Sequence, residues 1–299
     1  MHRLTKTSTA LGAAAAAAAG LAYSLWEAGQ FTLRRVEVPV LGRQEKPLRV
    51  LHLSDLHLTP NQAAKREWVQ RLAALEPDLV IDTGDNLAHI DAVPFVLDAL
   101  EPLLDVPGAF VMGSNDYYAP TFKNPLRYFN PSAPRVFGRP LPWTDLRDAF
   151  AASGWADLNN ARTTVKAGGR VIELVGVDDP HLDRDRYDDV AGSPNSGAEL
   201  TIGVAHAPYL RVVQAMADDQ IPLVLAGHTH GGQVCVPGWG ALVTNCDLPP
   251  RQAKGLSRVA GQRGESWLHV SAGLGCSPTA PIRFACRPEA TLLTLVPRV

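Results

Sequence analysis

The chain has 299 residues, 28 basic against 30 acidic side chains, a formal net charge of −2, and 46% hydrophobic and 19% charged residues. That length holds one large domain or two ordinary ones with a sizeable core, and near-neutrality excludes a nucleic-acid binder that works through a broad basic face. The hydrophobic content excludes wholesale disorder. Four cysteines (Cys235, Cys246, Cys276, Cys286) with no CxxC pair argue against a disulfide scaffold and a cysteine-built zinc site.

The run Thr9 to Trp26 carries no charge and is dominated by Ala13 to Ala19. A spanning helix needs roughly 20 apolar residues, and alanine is a strong helix former but only weakly lipophilic. Three readings compete: an uncleaved membrane anchor, a signal peptide with alanine-rich cleavage options, or a soluble helix. We expect residues 1–30 to be the anchor, giving a membrane-associated protein, with secretion after cleavage as the alternative. Arg3 and Lys6 precede the run and Arg34 and Arg35 follow it, so the positive-inside rule leaves the side open. Tyr23 and Trp26 would suit a membrane interface.

From Leu48 onward short apolar runs alternate with helical stretches. Leu48 to Leu53 reads as a strand ending at Ser54-Asp55-Leu56-His57, and Lys65 to Leu75 has helical spacing up to Pro77. Asp78 to Asp82 is a buried strand running into Thr83-Gly84-Asp85. Phe95 to Leu104 reads as helix, with Pro94 and Pro102 at its edges, and Gly108 to Met112 as a strand leading to Gly113-Ser114-Asn115-Asp116. Later strands are Arg170 to Val177 before Asp178-Asp179, Thr201 to Ala205 before His206, Ile221 to Ala226 before Gly227-His228-Thr229-His230, and Trp267 to Ser271 before Gly273-Leu274-Gly275. Each polar cluster follows the C-terminal end of an apolar strand, the edge at which layered α/β folds gather ligand-binding side chains. Pro120 to Pro142 reads as a long functional excursion over the site.

Asp55 and His57 are two apart just beyond a strand, so both can face one way, and His228 and His230 repeat that spacing. With Asp85 and His206 they make two carboxylates and four imidazoles, a set suited to Mn²⁺, Fe²⁺/³⁺ or Zn²⁺. Six donors are too many for one open catalytic ion and suit two divalent ions sharing a carboxylate.

Asp55-x-His57, Gly84-Asp85, Gly113-Ser-Asn-Asp116, His206 and Gly227-His-Thr-His230, in that order, resemble the motif set of the calcineurin-like metallophosphoesterases. The resemblance spans roughly residues 48–299, which we take as one catalytic domain behind the N-terminal segment. It implies an α/β fold, a four-layer β-sandwich flanked by helices, here with an N-terminal apolar helix. It also implies a binuclear phosphohydrolase acting on phosphodiester, pyrophosphate or phosphomonoester bonds. The Gly227 to Gln233 run and the apolar N-terminus are most similar to the membrane-associated bacterial branch, which implies a substrate that is lipid-linked in some members. Carried over by position, Asp55, His57 and His230 would bind the first ion, Asp85 would bridge, and His206 and His228 would bind the second. No nucleic-acid partner is expected.

The third motif departs from the family's Gly-Asn-His-Asp/Glu, because Ser114 stands for the asparagine ligand and Asn115 for the histidine. Either the loop shifts so that Asn115 supplies an amide oxygen, or Ser114 and water fill the place; Asn115 is our expectation, since an amide oxygen is the better neutral donor. With Asp85 and Asn115, Asp116 completes the expected catalytic set, fixing a histidine ring, His228 first among candidates, by accepting its free N–H. Losing the family's histidine removes a group thought to orient substrate or protonate the leaving oxygen, worth about 10²–10⁴-fold for a poor leaving group. Pyrophosphates, aryl esters and activated diesters are therefore the expected substrates.

Other residues have plainer readings. His52, alternating with Leu51 and Leu53, is expected to be structural, and His89 to be on the surface or behind the site. His181, Arg184 and Arg186 could touch substrate, with a solvated charged loop as the simpler reading. Cys235 and Cys246 read as buried thiols. His2 and His269 carry no signal. The aromatics Tyr117, Tyr118, Phe122, Tyr128, Phe129 and Trp143 could line a lipid-facing pocket or pack on themselves. Competing functions are a metal-bound regulatory protein with little turnover, a cyclic-nucleotide phosphodiesterase and, least favoured, a protein phosphatase.

Overall fold

A computed structural model describes residues 2–122 and 136–298, with side chains from residue 12 onward. Helix α1 (His2–Glu27) covers the alanine run, as an unbroken stretch of strong helix formers should. Among the described residues no helix is long and apolar enough to cross a membrane.

Two six-stranded sheets form the frame. In the first, β1 (Thr32–Leu41), β2 (Leu48–Leu53), β3 (Leu79–Asp82), β4 (Gly108–Phe110) and β5 (Ala156–Asp157) combine with the last strand, β14 (Glu289–Pro297), in the order β1-β14-β2-β3-β4-β5. In the second, β6 (Ala161–Ala167), β7 (Arg170–Gly176), β8 (Leu200–Ala205), β9 (Leu223–Ala226), β12 (Gly255–Ala260) and β13 (Glu265–Val270) run in the order β12-β13-β9-β8-β7-β6. A short hairpin, β10 (Cys235–Val236) and β11 (Gly240–Ala241), stands apart. Helices α2 (Ala63–Gln70), α3 (Val93–Leu104) and α5 (Trp143–Ala152) cover the first sheet through Val69, Val96, Leu100, Leu146 and Phe150. The single turn α4 (Ser114–Tyr117) lies at the site, and α6 (Leu210–Asp218) covers the second sheet through Val212, Val213 and Met216.

Between the sheets, Val50, Ile81, Val111, Leu174, Ile202, Val204, Leu225 and Leu293 interdigitate, all fully buried. Helix, sheet, sheet, helix is thus the layer order. Strands β2 through β5 are mutually parallel, as are β7, β8, β9 and β13. Their carboxyl ends therefore point the same way within each sheet, which brings the polar clusters to one edge.

The expected strands and helices lie within a few residues of those observed. The helix expected over Lys65 to Leu75 is α2 followed by a tighter 3₁₀ turn, Arg71–Leu75. Strand β1 was not foreseen. Val36, Val38 and Val40 alternate with Arg35, Glu37 and Pro39, a half-buried edge pattern in which proline is tolerated. It pairs in parallel with β14, from Thr32 opposite Glu289 onward.

Candidate metal centre

The loops that follow β2, β3, β8 and β9 carry the six expected donors, and they do so through an unusual backbone. Asp55, His57, Asp85, His228 and His230 all have positive φ, at 52°, 42°, 59°, 68° and 50°. L-residues adopt this left-handed region at a cost of about 1 kcal/mol or more each, and such residues cluster at functional sites. The expected reason for Asp-x-His and His-x-His was strand alternation. The observed reason is a pair of left-handed turns that bend the chain after each strand so that both side chains face inward. Hydrogen bonds between loops hold these turns: Asp55 N–H donates to Gly84 O at 2.8 Å, His57 N–H to Asp85 O at 2.9 Å, and Gly275 N–H to Asp55 O at 2.6 Å.

Ligand atoms of Asp55, His57, Asp85 and His230 all lie within 4.8 Å of one another. His57 Nε2 is 3.3 Å from His230 Nε2 and 3.5 Å from Asp85 Oδ2, and His230 Nε2 is 3.6 Å from Asp55 Oδ1. Asp55 is held from behind: its Oδ2 accepts from Ser54 Oγ–H at 2.5 Å and from His228 N–H at 3.0 Å. Its inward Oδ1 is buried without a hydrogen-bond partner, as is His206 Nε2, which lies 3.4 Å from Asp85 Oδ1. Buried lone pairs left this way are costly unless a cation satisfies them.

The imidazoles repeat the point. His206 Nδ1 donates to Thr83 O at 2.7 Å, and His230 Nδ1 lies 3.1 Å from Gly275 O. A ring that gives one N–H to a backbone carbonyl leaves its other nitrogen as a lone pair, the arrangement metal-ligating histidines adopt. Burial pushes the His57 imidazole down to about 4 and the Asp55 carboxyl up to about 6. Burial also acts to lower His206, but the neighbouring Asp85 carboxylate outweighs it and holds that ring well above the ordinary range. The field that favours a proton on His206 favours a divalent cation in its place. The donor set, its burial and its unmatched lone pairs fit divalent ions.

Asn115 and His206 lie against Asp85, Asn115 through its nitrogens. Asn115 donates its backbone N–H to Asp85 Oδ1 at 2.7 Å and its side-chain amide to Oδ2 at 2.6 Å. The ring centroids of His206 and His228 are 5.2 Å apart. The chain can crowd in here because Gly113 has no side chain: a Cβ on it would overlap Asp85 Oδ1 and sit 2.6 Å from His206 Cε1.

Asp116 corrects an expectation. It does not fix the His228 ring. Its Oδ2 accepts the N–H groups of Asp85 and Gly113 at 2.8 and 2.9 Å, and its Oδ1 those of Asn86 and Leu87 at 2.8 and 3.1 Å. One buried carboxylate thereby organises the loop that presents Asp85. It can do so because α4 turns at Gly113 and aims position 116 back beneath that loop.

Of the remaining residues, His181 is placed beside the site, its ring centroid 4.5 Å from that of His228 and its Nδ1 3.0 Å from Tyr209 Oη. Arg184 pairs with Asp178 at 2.8 Å and stacks on Tyr117 at 4.0 Å, while Arg186 pairs with Asp189 in solvent. His89 lies at the surface, half exposed, with Nδ1 accepting from Asp91 N–H. Tyr117 packs on Trp143 and Tyr118 on Phe137, so these aromatics pack on their own neighbours. Tyr128 and Phe129 lie outside the described residues.

Two features gave no usable signal in sequence. His52 is structural as expected, but its partner is His269, Nδ1 to Nδ1 at 2.9 Å, a buried polar link between the sheets. Arg283, fully buried, donates to the carbonyls of His230, Gly273 and Gly275 at 2.9, 3.2 and 2.6 Å. It ties the His230 turn to the glycine turn that packs on Asp55 and His57. A lone arginine between isoleucine and phenylalanine announces none of this.

Fold and site together define a metal-dependent hydrolase of phosphate esters, built on two facing sheets with donors at their shared edge. The sequence profile of the calcineurin-like phosphoesterases matches residues 48–232, and the chain belongs to that family, whose members work with two divalent metals. Among its relatives, the phosphodiesterase YaeI of Escherichia coli is 28% identical, over 96% of this chain and 97% of that one. The metallophosphoesterase YkuE of Bacillus subtilis is 31% identical over 83% and 78%. A transmembrane protein with a metallophosphoesterase domain from Danio rerio is 28% identical, over 87% of this chain and 56% of its own length.

Proposed function

We propose that this chain hydrolyses phosphodiester or pyrophosphate bonds at a membrane surface, from substrates whose leaving group departs as a stable anion without help. The observation that carries the reading is the convergence of Asp55, His57, Asp85 and His230 within 4.8 Å at one edge of the two sheets. Asp55, His57 and His230 would hold one divalent ion (Mn²⁺, Fe²⁺/³⁺ or Zn²⁺), and His206, His228 and the Asn115 amide oxygen a second, with Asp85 shared. Such ions supply Lewis acidity, lowering the pKa of water toward about 7 and offsetting charge on phosphoryl oxygens.

The chain's own contribution is positioning. Left-handed turns at five donors and the Asp116 clasp on residues 85–87 hold the donors in place before substrate arrives, so little reorganisation is needed during reaction. Position 115 carries an amide, which cannot deliver a proton to a departing oxygen. That supports leaving groups of low pKa. The name of the E. coli relative, a phosphodiesterase that aligns end to end with this chain, supports diesters. Attachment through residues 1–30 is supported by the uncharged run Thr9 to Trp26 and by the transmembrane character named for the Danio rerio relative.

The test is hydrolysis of aryl methyl phosphodiesters of graded leaving-group pKa by manganese-loaded protein. We expect rates that fall steeply as that pKa rises. No turnover with Mn²⁺, Fe²⁺ or Zn²⁺ would overturn the hydrolase reading. A flat dependence would overturn the leaving-group part and direct attention to His181, the imidazole beside His228. Recovery of the full chain in the soluble fraction, uncleaved, would overturn membrane attachment.

A further inference from the structure

Among the described residues the exposed large apolar side chains fall in three stretches. Leu21, Leu25 and Trp26 lie on α1, each about half exposed; Val236, Trp239 and Leu242 lie on the β10–β11 hairpin, with Trp239 at 82%; Phe122, Val136 and Phe137 flank residues 123–135. The three meet on one strap, residues 279–284. Tyr23 of α1 packs edge-on against Phe284 at 5.5 Å, Cys235 at the start of the hairpin donates its N–H to Phe284 O at 2.8 Å, and Thr279 Oγ1 lies 3.5 Å from Thr121 O. They therefore form one side of the molecule.

Two of those stretches, on α1 and the hairpin, also lie in chain that carries no charge, while exposed Arg139 follows the third. In a chain with 19% charged residues, residues 231–246 and 273–282 contain no Asp, Glu, Lys or Arg, and neither does Thr9 to Trp26. Within the hairpin, Cys235 and Ala241 face inward while Val236 and the tip residue Trp239 face out. A water-facing surface has no reason to exclude charge over three separate stretches, whereas a lipid-facing one does. Tryptophan and tyrosine, apolar rings with a polar handle, concentrate at membrane interfaces. The same uncharged stretches hold the metal centre: Gly275 O takes the His230 ring and Asn245 O the His228 ring.

We infer that the β10–β11 hairpin and the C-terminal half of α1 together dip into a lipid bilayer, with Trp239 in the acyl region and the metal centre at headgroup level. The substrate class follows, and that part rests on the hydrolase reading above: a phosphate ester or pyrophosphate on a lipid, presented from the membrane rather than from solution.

The test uses the full chain with phosphatidylcholine–phosphatidylglycerol vesicles carrying brominated acyl chains, which quench only tryptophans within the hydrocarbon. We expect strong quenching, and loss of its Trp239 component in Trp239→Phe; equal quenching in both proteins would overturn the proposal whether or not the protein hydrolyses anything. A second variant, Val236→Ser with Trp239→Ser and Leu242→Ser, changes exposed side chains outside the donor set. Its rate on soluble p-nitrophenyl methyl phosphate should stay within about twofold, while its rate on vesicle-borne p-nitrophenyl dodecyl phosphate falls about tenfold or more. Parallel losses on both substrates would overturn the substrate assignment. A lipid-free dimer that this variant converts to monomer would show that the surface is for a second copy instead.

Discussion

Replacing Asp116 by asparagine tests how the centre is built. The carboxylate satisfies four buried N–H groups, two on each oxygen. An asparagine offers one carbonyl oxygen, and its amide group would face the other two N–H groups as donor against donor. Leaving a buried donor unsatisfied costs about 1–3 kcal/mol, so Asp116→Asn should lose roughly 2–6 kcal/mol, a large share of the typical 5–15 kcal/mol of a folded domain. Because three of those N–H groups belong to residues 85–87, metal content should fall together with stability. The assay is urea unfolding in EDTA, where no ion contributes, paired with metal analysis of the same variant after manganese loading. A variant within about 0.5 kcal/mol of wild type in EDTA, the scatter of an ordinary surface substitution, would refute the reasoning. It would mean that the carboxylate has another task, such as orienting a ring.

Three further outcomes are expected. Gly113→Ala would drive a methyl group into Asp85 and His206; elemental analysis should show the ion proposed for His206 lost before the one proposed for His57 and His230, whereas Asp85→Asn should lose both. Removing metal with EDTA should lower the unfolding free energy read from urea titrations and readdition should restore it, by about 2.7 kcal/mol per ion at a free ion concentration one hundred times Kd; an unchanged value would argue against ions that bind only the folded state. Burial depresses His269 to about 4 from an ordinary value of 6.5, so the unfolded chain binds the proton more readily between those values. Its contribution is present above pH 6.5 and is lost as pH falls toward 4, about 3 kcal/mol in all. Replacing both His52 and His269 by leucine should flatten that acid limb in pH-dependent melts, and an unaltered limb would refute it.

The amino-acid sequence by itself determined the strands that end in polar clusters and the chemistry of the six donors. Both are written in short-range patterns, apolar runs of four to seven residues and spacings of two, that do not need the rest of the chain to be understood. Tertiary structure alone decided how those donors are held. The left-handed turns at Asp55, His57, Asp85, His228 and His230 arise from loops bonding to one another. The task of Asp116 depends on where residues 85–87 lie. Strand β1 exists because β14, some 250 residues later, offers it an edge, and His52 finds His269 across 217 residues. Such partners are brought together by sheet packing, and nothing in the identity of either residue names the other.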